Sequence, residues 1–156
     1  MRLRECTLMD CLMVCCDLRD DEWGQVVAFG GARDIDALAV NCHMQPGAKW
    51  TFEAGDGKAL VVGGFIQHRA GVFSSWFLSS AAAWREHSTE ITTMTAERVQ
   101  YALANGAHRI ETVCLASRTR AHRWYEKVGL TKESTLKGYC VDGSDAVLYV
   151  ALKGSG

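Results

Sequence analysis

The stretch from Arg109 to Leu152 limits the fold of this chain more than any other. Arg109–Leu115 alternates and is rich in β-formers, with Ile110, Val113 and Leu115 at its apolar positions. Thr119–Val128 switches to a helical period, which puts Ala121, Trp124, Tyr125 and Val128 on one face. Gly129 then sits where a helix stops, because glycine enters the left-handed region at little cost. Lys132–Tyr139 and Ala146–Leu152 read as two further strands joined through Asp142-Gly143, a strong turn signal. A strand, a crossover helix and a returning strand predict an open sheet with helices packed on it.

The upstream chain supplies more of the same elements. Arg2–Cys6 reads as a first strand and Thr7 as the cap of a helix. The stripe of that helix is Leu8, Cys11, Leu12, Cys15, Cys16 and Leu18. Asp17–Glu22 is an acidic break, and Trp23–Phe29 has no clear period. Asp34 caps a second helix, Ile35–Met44, and Pro46-Gly47 turns the chain. Lys49–Ala54, Ala59–His68 and Val72–Leu78 are predicted strands, with Gly63-Gly64 marking a bulge or a close approach. Ser79–His87 reads as a linker or helical turn, and Ser88 as the cap of a long helix, Thr89–Asn105.

Bulk properties bound the function. The 156 residues suit one domain, 1–156, with 48% hydrophobic and 22% charged residues. A net charge of −1 gives no signal for nucleic acid or anionic lipid. No apolar run approaches the roughly 20 residues of a membrane span, and no signal-peptide core is visible, so a cytoplasmic location is expected. Seven cysteines without a CxxC pair read as buried free thiols. Cys15, Cys16, Cys42 and His43 do not match a known metal-ligand spacing, and no metal site is expected.

Ala121, Tyr125, Gly129 and Leu130, followed by Gly138-Tyr139 and Asp142-Gly143, resemble the C-terminal half of the GNAT acetyltransferase superfamily. Arg118 stands in the place of that pattern's usual Asn. The resemblance implies an α/β fold. Its mixed, mostly antiparallel sheet has six to seven strands, with a splayed central parallel pair and about four helices on both faces. It also implies acetyl-CoA as cofactor and an amine as substrate. The pantetheine arm would lie in the gap between the fourth and fifth strands. The diphosphate would rest on backbone N–H groups at the start of the long helix.

The same resemblance assigns roles to residues. Tyr125 would be the general acid that protonates the departing thiolate, and Glu111 is the base candidate on the fifth strand. His68, Glu86 and His87 are further base candidates near the fourth strand. Phe77, Leu78, Ser79, Ser80, Arg85, Ser88, Arg118 and Ala121 would bind the cofactor. The family's phosphate loop carries glycines, whereas Ser79–Ser88 has none. Ala81–Ala83 read more simply as the start of a helical turn with Trp84 over the core. Tyr125 reads equally as packing with Trp124 on the sheet. Arg118, Arg120, His122 and Arg123 form a basic face beside the expected gap.

A narrower likeness rests on Trp76, Phe77, Ser79, Ser80, Trp84 and the Tyr125–Gly129 segment. These residues resemble the GNAT-like internal virion or head-assembly proteins of short-tailed phages. That likeness implies a binding or assembly role in a virion or host cytoplasm, with a protein partner or a homodimer. Two functions are therefore expected as alternatives: acetyl transfer to an amine, or a GNAT-shaped protein that has lost the reaction.

Overall fold

The computed structural model describes residues 1–154. Seven strands and five helices follow the order β1 (Arg2–Glu5), α1 (Leu8–Cys15), α2 (Asp20–Ala28), α3 (Ile35–Met44), β2 (Lys49–Glu53), β3 (Ala59–Arg69), β4 (Val72–Ser79), α4 (Ala81–Ala104), β5 (Arg109–Leu115), α5 (Thr119–Lys127), β6 (Thr131–Leu136) and β7 (Ala146–Leu152). They build one sheet in the order β1-β2-β3-β4-β5-β7-β6. Every neighbouring pair is antiparallel except β4–β5. The mixed sheet with one central parallel pair is the one expected.

Both faces of the sheet are covered. On one face α4 and α5 bury Val99, Leu103, Ile110, Val128, Leu130 and Tyr149 in a common core. On the other, α1 and α3 pack Cys11, Val14, Ala39 and Cys42 against Val62, Trp76 and Leu78. Six of the seven cysteines are buried free thiols, and Cys16 is exposed. The start of α1 is fixed by a reciprocal cap: Asp10 N–H donates to Thr7 Oγ1, and Thr7 N–H donates to Asp10 Oδ2. Arg4 pairs with the same carboxylate at 2.6 Å; burial pushes the Asp10 carboxyl up, and the hydrogen bonds from Arg4 and Thr7 together outweigh it and hold Asp10 low, at about 2.

Gly63 and Gly64 are a close approach. A Cβ on Gly63 would lie 3.1 Å from the Trp50 ring on one face, and one on Gly64 would lie 2.6 Å from Trp76 Nε1 on the other. The register of β3 is continuous there; the shifts fall at Phe52/Glu53 and Gln67/Arg69. Two adjacent glycines thus seat one indole on each side of the sheet.

Several boundaries differ from the expected ones. Asp20–Ala28 is helical, and that adds a helix to the expected order; buried Glu22 and Trp23 anchor it rather than a clean apolar stripe. α1 stops at Cys15, and Leu18 instead bridges to Ser80. The long helix begins at Ala81 with Ser80 as its cap, not at Thr89 with Ser88; the expected boundary survives as a break at His87 (φ −133°, ψ 21°). β6 ends at Leu136, before Gly138 turns with φ +60°. Residues 137–145 form a longer loop than a two-residue hairpin.

Candidate functional site

The strand pairing itself opens a wedge. β4 and β5 are in register only at Val72↔Arg109, Phe73↔Ile110 and Ser74↔Glu111. Beyond Ser74 the backbone pairing ends, and Thr112 Oγ1 donates to Ser75 O at 3.4 Å. A cavity of about 790 Å³ runs through this gap. It is lined by Leu38, Cys42 and Trp76 from one face of the sheet and by Thr95, Trp124 and Tyr125 from the other. The splayed central pair expected from the resemblance is therefore present.

The far end of the wedge is filled with rings and short hydrogen bonds. Trp84 Nε1 donates to Ser79 Oγ at 2.5 Å, and Ser79 Oγ donates to Glu22 Oε1 at 3.0 Å. Trp84 meets Trp124 edge-on at 5.2 Å, and Phe77 lies 4.8 Å from Trp124. The three rings span from β4 to α5 across the splay. Arg19 sits 5.6 Å over the Trp84 ring.

The start of α4 is occupied by the chain itself. Ala81 N–H donates to the Asp17 carbonyl at 2.7 Å and Ala82 N–H donates to Asp17 Oδ2 at 3.1 Å. Ala83 N–H donates to Ser80 Oγ at 3.1 Å. These are the donors that a helix start offers to an anion. Here a carboxylate from the α1–α2 connection already takes that place, and Ala81–Ala83 are helical with Ala83 fully buried. The residues present do not fit an acetyl-CoA diphosphate on this helix start.

The expected site residues fall into separate groups. Phe77, Ser79 and Ser80 are at the closed end just described. Leu78 points to the opposite face, into the core with α1 and α3. Arg118 pairs with Asp21 at 3.0 Å and lies 3.8 Å from Glu22, so it faces α2. Ala121 is half-buried on α5. Arg85 and Ser88 are exposed, and Arg85 has no ion pair or hydrogen bond among the described residues. Of the further base candidates, His68 bonds Ser74 and His87 bonds Glu90.

Tyr125 and Glu111 both line the through-sheet cavity but belong to opposite faces. Glu111 shares its face with Val113 and Leu115, accepts from Arg109 Nε at 3.0 Å, and sits where the parallel strands are still paired. Tyr125 packs 5.5 Å from Trp124 and 5.2 Å from Tyr149. Burial, then the neighbouring Cys114, push its hydroxyl well above the usual tyrosine range.

Two acidic residues were missed by sequence reasoning. Glu22 is 5% exposed, its Oε2 has no partner, and burial raises its carboxyl to about 7 against the opposing pull of Arg118 and Arg19. Asp17 and Glu22 were legible only as a polar break. Their partners, Ala82 and Ser79, lie 65 and 57 residues away, and no local pattern announces such a pairing. Among the described residues no group of His, Cys, Asp or Glu side chains is placed to hold a metal ion.

A seven-stranded mixed sheet, splayed at one central parallel pair and covered by helices on both sides, is the arrangement of the GNAT fold. Solved structures bear this out at low identity. A putative phosphinothricin N-acetyltransferase superposes with a TM-score of 0.75 at 12% identity, covering 99% of each chain. A GNAT-family acetyltransferase from Bacillus anthracis gives 0.74 at 16%, covering 97% of this chain and 93% of that one. A spermidine N-acetyltransferase variant from Vibrio cholerae gives 0.73 at 14%, covering 98% and 95%. The chain has the GNAT fold. No family profile matches the sequence, and no curated protein matches it.

Proposed function

We propose that this GNAT-fold chain works as a binding or assembly component and not as an acetyl-CoA-dependent transferase. The observation that carries the reading is Asp17 on the first amides of α4. An anion held there by the chain excludes a second one through like-charge repulsion and through loss of free donors. Phe77, Trp84 and Trp124, closed over the splay, act in the same direction. A fold does not fix a function, and the wedge without its phosphate seat is a scaffold for recognition. The resemblance to phage internal virion proteins agrees with this role.

The other reading, acetyl transfer to an amine, is favoured by the parted strands and by Tyr125 on the cavity wall. Incubation of the purified chain with acetyl-CoA and a panel of polyamines and amino acids separates the two. The binding reading expects no release of free coenzyme A above the protein-free control. Release that grows with protein concentration and falls in Tyr125→Phe supports transfer instead.

A further inference from the structure

The start of α1 brings two sulfurs together. Thr7 is its cap, so Cys6 stands one residue before the cap and Cys11 four residues after it. At a helix entry these two positions face each other, and apolar side chains there pin the incoming chain. Here both are thiols, and Cys11 Sγ lies 3.6 Å from Cys6 Sγ. Both are free and sit in the core that α1 and α3 form against Val62. Cys15 and Cys42 share that core, where burial pushes each thiol up to about 12.

The two paired thiols are not equivalent. Cys11 is fully buried, whereas Cys6 keeps 6% of its surface exposed. The hydrogen bond from Cys11 lowers the Cys6 thiol to about 7; Thr51 and the Lys49 ammonium act in the same direction, and burial and the Asp10 carboxylate oppose it. That same bond, and then burial, raise Cys11. Cys6 is the thiolate of the pair and Cys11 the neighbour that keeps its proton.

We propose that Cys6 and Cys11 are a redox-controlled staple, which hydrogen peroxide converts from a thiol pair into a disulfide that locks β1 to α1. The Cys6 thiolate attacks one peroxide oxygen, the O–O bond breaks, hydroxide leaves, and Cys6 becomes a sulfenic acid. Cys11 sulfur then attacks Cys6 sulfur, the S–O bond breaks, and the hydroxyl departs with the Cys11 proton as water. Two electrons pass from the sulfurs to the peroxide. The sulfurs close from 3.6 Å to a bond of about 2.0 Å. A small oxidant suits a thiol with so little open surface. Because α1 packs on Trp76 and Leu78, the lock fixes the layer that covers this face of the sheet. The device is independent of what the wedge binds.

Peroxide treatment of the native protein tests it, followed by iodoacetamide in denaturant, reduction, and N-ethylmaleimide. Cys6, Cys11, Cys15 and Cys16 fall in one tryptic peptide, residues 5–19, and its fragment spectra show which sulfur carries which label. Cys6 and Cys11 are expected to take N-ethylmaleimide together, with Cys15 taking iodoacetamide. The thermal midpoint of the oxidised protein is expected to lie about 4 °C or more above that of the reduced protein and to return with dithiothreitol. In Cys11→Ala, Cys6 stops at the sulfenic acid and is captured by dimedone. The labelling of the unmodified sequence decides the question even where that variant does not fold. Oxidation of exposed Cys16 while Cys6 and Cys11 both take iodoacetamide overturns the proposal. So does pairing of Cys6 with any other cysteine, or an unmoved midpoint in the fully paired protein.

Discussion

Glu22 is the residue with most to say about conditions. Its carboxyl is buried, half-partnered, and raised to about 7 from an ordinary 4.5. A carboxyl whose folded value is raised binds its proton more tightly in the native state. Its contribution to stability is therefore full below about 4.5 and is lost as pH rises to about 7. The loss is of order 3 kcal/mol at most. Chemical denaturation from pH 5 to pH 8 should show stability falling with pH, and Glu22→Gln should flatten that slope. A slope unchanged in the variant removes Glu22 as its source. Asp17→Ala should lower stability by about 1 kcal/mol through loss of its bond to the α4 start, measured in the same way.

Among the elements, those with a local code were the legible ones. β5 and β7 were readable to the residue, the first from its alternation and the second from a short apolar run bounded by turn residues. α5 was readable because Ala121, Trp124, Tyr125 and Val128 repeat with the helical period. α2 was not, because Glu22 and Trp23 are held by tertiary partners on β4 and by Arg33 over the indole. The start of α4 was misjudged because Ser80 and Ser88 are equally good caps by composition, and only the contact with Asp17 selects the first. The pair Gly63-Gly64 was legible as a special point, and the structure gives its cause. Gly64→Ala should cost about 2 kcal/mol or more, since the added carbon meets Trp76 Nε1 at 2.6 Å and the Ala48 carbonyl at 2.8 Å. A thermal melt within error of the parent would contradict that packing.

At the scale of the whole molecule, the proposed reading keeps the architecture and gives up the transfer chemistry. The splayed β4–β5 pair gives the cleft, and the crossover through α5 gives its wall. The chemistry that usually occupies such a cleft needs a free helix start and an open channel. Asp17 occupies the first two amides of α4, and Phe77, Trp84 and Trp124 pack together at one end of the splay. The candidate catalytic pair, Tyr125 and Glu111, is divided between the two faces of the sheet. Among the described residues no helix is long and apolar enough to cross a membrane. The most direct measurement is calorimetric titration of the unmodified chain with acetyl-CoA at neutral pH. The account predicts no saturable binding up to roughly 1 mM ligand. Micromolar binding that is weakened in Tyr125→Phe would contradict it.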